Sequence, residues 1–219
     1  MRDPTRQEVI SSILQGIGNA QRDYKKAYES HINSEFAPEY LMTIYIFQSI
    51  LELKEERCHC AYGISLEEPV YDLARALKVR GRYSNHGRVY GDCDLSLRSI
   101  NDDKPLAVIE VKKNLRNYWG DIARLSYLVE KGLEFGIFAS YWSEEIKDSF
   151  SREVKGRIEN RIGSILSSVK KDVAELGYDH YIDLVGPIKT LQFAAEKPGQ
   201  KEKWKWCPVC FIIYNKKKP

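Results

Sequence analysis

The stretch PLAVIEVKK at residues 105–113 decides how the rest of the chain reads. Its aliphatic, β-branched run has the length and composition of a strand at the centre of a sheet, covered on both faces. Side chains alternate along a strand, so Ile109 and Val111 face one way, and Val108, Glu110 and Lys112 the other. An acid and a base on one face of so apolar a strand are drawn partly out of water and need partners, and in clefts such groups are often functional. The spacing alone carries little. Acid-x-Lys recurs at Asp23/Lys25, Glu52/Lys54, Asp102/Lys104, Glu145/Lys147 and Glu153/Lys155, where helices or a turn are expected and a solvated pair suffices.

Upstream, NDDKP (101–105) reads as a polar turn and RVYGDCDLSLRS (88–99) as a strand. Pairing the two as a hairpin sets Asp94 beside Glu110 and turns Leu95 and Leu97 to the opposite face. VRGRY (79–83) reads as a further strand, across a Ser-Asn-His-Gly turn, while residues 58–66 are ambiguous and 69–77 form a short helix. Downstream, residues 117–134 read as a helix with Ile122, Leu125, Leu128 and Val129 on one side, followed by the buried strand FGIFASYW (135–142). Before this unit, residues 3–29 predict a helix capped by Asp3, with Pro4 at its first position and Gly16-Ile-Gly18 as a packing feature. Residues 38–55 predict a helix apolar on most sides and therefore central, burying Leu41 and Tyr45. After the unit come a long polar helix or helix pair at 143–176 and two late strands, 181–194 and 204–214, joined through KPGQKEK as a hairpin.

Strands interleaved with helices imply an α/β fold, a mixed sheet flanked by helices. At 219 residues, 43% apolar and 11% aromatic, the chain can bury a substantial core and is not of disordered composition. It has no run of 18 apolar residues and no apolar stretch near its charged N-terminus, so neither a membrane span nor a secretory signal is expected. Five cysteines suit a reducing cytoplasm better than a disulfide framework. The net charge of +3 does not mark a nucleic-acid binder, but residues 195–219 hold seven lysines against two glutamates and leave the remainder at −2. That tail reads either as a polyanion contact or as a solubilising terminus.

Two carboxylates and a lysine converging at a strand end suit phosphodiester hydrolysis. Carboxylate oxygens hold Mg2+, the ion polarises phosphate and acidifies a bound water, and the lysine neutralises developing charge or orients that water. With Asp94-Leu-Ser-Leu, a polar turn, then Ala-Val-Ile-Glu110-Val-Lys112-Lys, the chain resembles the PD-(D/E)XK nuclease superfamily, the restriction-endonuclease-like fold, over about residues 38–142. The resemblance implies that Asp94 and Glu110 bind Mg2+, for which Mn2+ can substitute. It further implies that the Val111 carbonyl completes the metal shell, that Lys112 serves catalysis, and that Glu39 on the first core helix supports the site, with Glu35 as the alternative. The naming Pro-Asp dipeptide is absent. The strand offers Gly91-Asp92-Cys93-Asp94, which leaves Asp92 as a rival to Asp94.

The expectation is a single domain spanning 1–219, with a core at 38–142, an N-terminal helix at 3–29, and a C-terminal helix and β-hairpin elaboration at 143–219. Its expected activity is that of a Mg2+-dependent endonuclease acting on DNA in the cytoplasm, away from membranes. Restriction enzymes of this fold commonly dimerise, which puts a homodimer among the expected assemblies. The alternative is a catalytically inactive nuclease-like fold that binds nucleic acid or a protein. Arg124, on the helix after the motif, reads either as a phosphate contact or as half of a surface salt bridge with Asp121 or Glu130. Lys78, Arg80, Arg82, Lys113 and Arg116, interleaved with Tyr83, Tyr90, Tyr118 and Trp119, read as a phosphate-contacting rim or as ordinary surface. Cys207 and Cys210 have the spacing of half a zinc site, which Cys58 and Cys60 would complete; small buried cysteines are the competing reading. The four histidines form no ligand pattern, and no phosphate-binding glycine loop or serine-hydrolase elbow occurs.

Overall fold

The computed structural model describes residues 2–28, 37–56, 62–78, 91–115, 118–145, 151–185, 192–193 and 204–215. Within them lie helices α1 (Arg6–Tyr28), α2 (Glu39–Glu56), α3 (Val70–Ala76), α4 (Trp119–Glu130) and α5 (Ser151–Glu175). The strands are β1 (Tyr62–Pro69), β2 (Asp92–Ser99), β3 (Pro105–Val111), β4 (Phe135–Glu145), β5 (His180–Val185), β6 (Gln192–Phe193) and β7 (Trp204–Asn215). They form one mixed sheet in the order β1-β2-β3-β4-β7-β5, with β6 also on β7. β3 and β4 run parallel, joined through α4, and the other pairings are antiparallel.

β3 is the pivot of the sheet, and all seven of its residues are buried. The alternation predicted for it sorts the core into two layers. Ala107, Ile109 and Val111 join Leu95, Leu97, Ile137 and Ile212 against Ile13 and Ile17 of α1 and Met42, Ile46 and Ile50 of α2. Val108, on the other face, joins Phe138 and Phe211 against Ile122, Leu125 and Leu128 of α4 and Val169 and Val173 of α5. A strand covered on both faces can be apolar throughout, which is why this segment reads so clearly.

Several expectations change. Helix α1 is capped by Thr5 rather than Asp3: the Glu8 amide donates to Thr5 Oγ1 at 3.3 Å, and the Thr5 amide to Glu8 Oε2 at 2.7 Å. This Thr-x-x-Glu pair satisfies two orphan donors, which a lone aspartate would not. Helix α2 is not surrounded; Tyr40 and Ile44 are exposed while its other side packs on α1 and the sheet. Gly16 is the packing feature expected, because a Cβ there would lie 2.6 Å from Ile46 Cα. The ambiguous segment supplies strand β1, whereas 79–83 and the turn after it lie outside the described residues. Strand β4 continues through Glu145, and α5 is one helix.

The C-terminal hairpin is part of the main sheet, since β7 pairs with β4 from Trp204 to Tyr214 and with β5 from Cys210 to Asn215. Its alternation separates the two cysteines: Cys207 belongs to the layer under α4 and α5, and Cys210 to the layer under α1 and α2. Two thiols on opposite faces of one strand cannot share a zinc ion. Burial raises both, Cys207 to about 12, as expected of inert core thiols. Cys58 and Cys60 lie outside the described residues. Among the described residues, no helix is long and apolar enough to cross a membrane.

Candidate active site

The site forms where the C-terminal end of β3 meets the first turns of α2 and α4. The β2–β3 register pairs Leu95 with Ile109; one step further sets Asp94 beside Glu110. Asp94 Oδ2 accepts the Val111 amide at 2.6 Å, which fixes the carboxylate across the strand end. Parallel β4 holds the next residue: the Lys112 amide donates to Ala139 O at 2.9 Å, and Ser140 Oγ donates to Lys112 O at 2.8 Å. Glu39 and Asp121 each stand in the first turn of a helix, where the backbone dipole favours a carboxylate.

Lys112 Nζ donates to Glu39 Oε1 at 3.0 Å and stands 3.9 Å from both Asp94 Oδ2 and Asp121 Oδ2. The Lys113 amide donates to the second Glu39 oxygen at 3.2 Å, so Glu39 grips the strand end with both oxygens. Glu39, Asp94, Glu110 and Lys112 are therefore brought together. Asp92 is not: its side chain is exposed, and only its backbone carbonyl enters, as an acceptor for Arg124. Glu35 lies outside the described residues, as do Arg80, Arg82, Tyr83, Tyr90 and Arg116 of the expected rim. Lys113 and Trp119 are exposed, and the Tyr118 hydroxyl donates to Asp172 Oδ2 at 3.1 Å.

Asp121 and Arg124 are the residues that sequence reasoning misplaced. Neither is on the surface. Arg124 Nη2 donates to Asp121 Oδ1 at 2.7 Å, Nη1 to Asp92 O at 3.0 Å, and Nε lies 3.1 Å from Glu110 Oε1. The last approach is off the N–H direction, so neither Arg124 Nε nor Glu110 Oε1 makes a hydrogen bond among the described residues. The signal was in the helical spacing, because Asp121, Arg124, Leu125 and Leu128 form one stripe and the two leucines face the sheet.

Fully ionised, four carboxylates and two cations sum to a formal −2 in a largely buried site, and the protonation equilibria reflect that excess. Burial, reinforced by Asp94 and Asp121 and opposed by Arg124, pushes Glu110 up to about 8. Burial also raises Asp94, against the Val111 amide and Lys112. For Lys112 burial pulls downward, but Asp121, Asp94 and Glu39 outweigh it and hold the ammonium above its ordinary value. Hard carboxylate oxygens short of two positive charges, one of them a buried orphan, fit a divalent cation in donor chemistry and charge. Lys112 and Arg124 are interleaved between the acids, and among the described residues no three metal-ligating side chains are gathered around one point as they stand.

Compared with protein families, with curated proteins and with solved structures, the chain matches none of them.

Proposed function

We propose that this protein is a metal-dependent nuclease of the restriction-endonuclease-like, PD-(D/E)XK type that hydrolyses phosphodiester bonds in DNA in the cytoplasm. The observation that carries the reading is the convergence of Asp94, Glu110 and Lys112 at the end of two paired strands, with Glu39 bonded to the lysine at 3.0 Å. The order of helix α2, strands β1 to β3, helix α4 and a β4 parallel to β3 supports it, being the order the resemblance implies apart from the short α3 between β1 and β2. Asp94 and Glu110 would hold Mg2+ or Mn2+, together with the Val111 carbonyl; the ion, when bound, would polarise the phosphate and supply an acidified water. Lys112 is anchored through its backbone to β4 and through its ammonium to Glu39, so its charge is preorganised for the phosphate that gains negative charge during hydrolysis. Glu39 acts as a positioning residue for Lys112.

The test is a cleavage screen over supercoiled, linear and single-stranded DNA and RNA with Mg2+ or Mn2+. DNA cleavage that needs metal and falls about 100-fold or more in Glu110→Ala and Lys112→Ala is expected. No cleavage of any substrate, or cleavage indifferent to both substitutions, sinks the catalytic reading. A binding-only nuclease-like fold is favoured by one observation, the guanidinium already seated against Glu110; retention of DNA in gel shifts without cleavage would identify it.

A further inference from the structure

We infer that Arg124 is the resident counter-ion of this site, one that Glu110 exchanges for a metal ion when a metal binds. The inference rests on the metal-site reading above and deepens it. Its basis is the unequal quality of the three arms of the guanidinium. Two arms are well made, Nη2 to Asp121 Oδ1 at 2.7 Å and Nη1 to the Asp92 carbonyl at 3.0 Å. The third is close but misaligned, leaving Arg124 Nε and Glu110 Oε1 buried without a hydrogen bond among the described residues.

A buried guanidinium tied on two of three sides keeps most of its bonding when the third partner leaves, and it stays charged throughout. Glu110 has the converse character. It is almost wholly enclosed, with 1% of its surface exposed, and the cation beside it gives it Coulomb attraction without a formed bond. Losing Arg124 would strand a carboxylate; gaining a metal would satisfy it. Asp121 eases the exchange, because its second oxygen already faces Lys112 at 3.9 Å and ties the guanidinium to the rest of the cluster. The guanidinium thus opposes metal entry by charge while preserving the acidic site in the metal-free protein. It acts on the metal through Glu110, as a positioning residue, and sets the concentration of metal at which the site fills.

Calorimetric titration of the full chain with Mn2+ alone tests this. Arg124→Met should bind Mn2+ about tenfold or more tightly than the wild type, because a positive charge next to the ligand oxygen is gone. A second measurement needs no variant. The side-chain Nε–Hε resonance of Arg124 in wild-type protein should move on addition of Mg2+, with the same midpoint as binding. Unchanged or weaker Mn2+ affinity in Arg124→Met, or an Arg124 resonance indifferent to saturating Mg2+, overturns the exchange while leaving the metal site standing. Wild-type protein that takes up no Mn2+ removes the metal site and the exchange together.

Discussion

Glu110 shows how much electrostatic tension one residue can carry. Its carboxyl is raised from 4.5 to about 8, with burial the largest cause and two acids adding to it against the Arg124 guanidinium and the Lys112 ammonium. A group whose pKa is higher in the folded than in the unfolded chain makes the folded state bind more protons between those two values. Its contribution to the stability of metal-free protein is therefore complete below about pH 4.5, and it is lost as the pH rises through about 8. The loss is on the order of a few kcal/mol. The urea midpoint of metal-free protein should fall between pH 6 and pH 9, Glu110→Gln should flatten that fall, and Mg2+ should restore stability most at the alkaline end. A midpoint that stays level in the wild type would remove Glu110 as the group under strain. Period-two alternation was enough to place Glu110 and Lys112 on one face, and hairpin pairing brought Asp94 beside them. Asp121 and Arg124 escaped because a charged pair three residues apart on a helix is usually solvated; only its coincidence with the Leu125/Leu128 stripe shows that it faces inward.

Among the elements, the α1–α2 pair fixes where Glu39 stands, and its closeness depends on Gly16. A Cβ at that position would meet Ile46 Cα at 2.6 Å, Ile46 N at 2.7 Å and Tyr45 O at 2.8 Å, all backbone atoms that cannot swing aside. Gly18 lies on the same helix, and a Cβ added there would meet no heavy atom within 4 Å. The two glycines therefore predict opposite signs. Gly16→Ala should destabilise the fold by about 1–3 kcal/mol through overpacking, partly offset by helix propensity, whereas Gly18→Ala should be neutral or stabilise by up to about 1 kcal/mol. Urea unfolding of the two single variants checks this, and equal shifts would mean that the two helices do not touch at Gly16. The Gly-Ile-Gly run revealed a packing feature in the sequence, but not which glycine made the contact. Strand β1 was harder to read, because its Glu67, Glu68 and Pro69 end and its partly exposed residues blur the alternation that marks β3.

For the whole molecule, the position of β7 decides whether the unit at residues 38–142 is self-sufficient. Sequence order suggested a core ending near residue 142 with a hairpin appended, because local patterns identify strands but not the partners they find across the fold. In the structure β7 covers β4 from Phe135 to Glu145 and contributes Val209, Cys210, Phe211, Ile212 and Ile213 to the two core layers. The link to the site is direct: Ala139, which pairs with Cys210, accepts the Lys112 amide, and Ser140 beside it donates to the Lys112 carbonyl. Removing β7 would expose the edge of β4 along eleven paired positions and strip away those five buried side chains. At about 1.5–3 kcal/mol for each fully buried apolar side chain, the loss is on the order of 10 kcal/mol, comparable to the entire stability of an ordinary domain. A chain ending at residue 185 should therefore be insoluble or lack a cooperative unfolding transition, and it should take up no Mn2+. If it instead unfolds cooperatively and binds Mn2+ as the full chain does, β7 is an accessory and Lys112 owes its position to α2 and β3 alone.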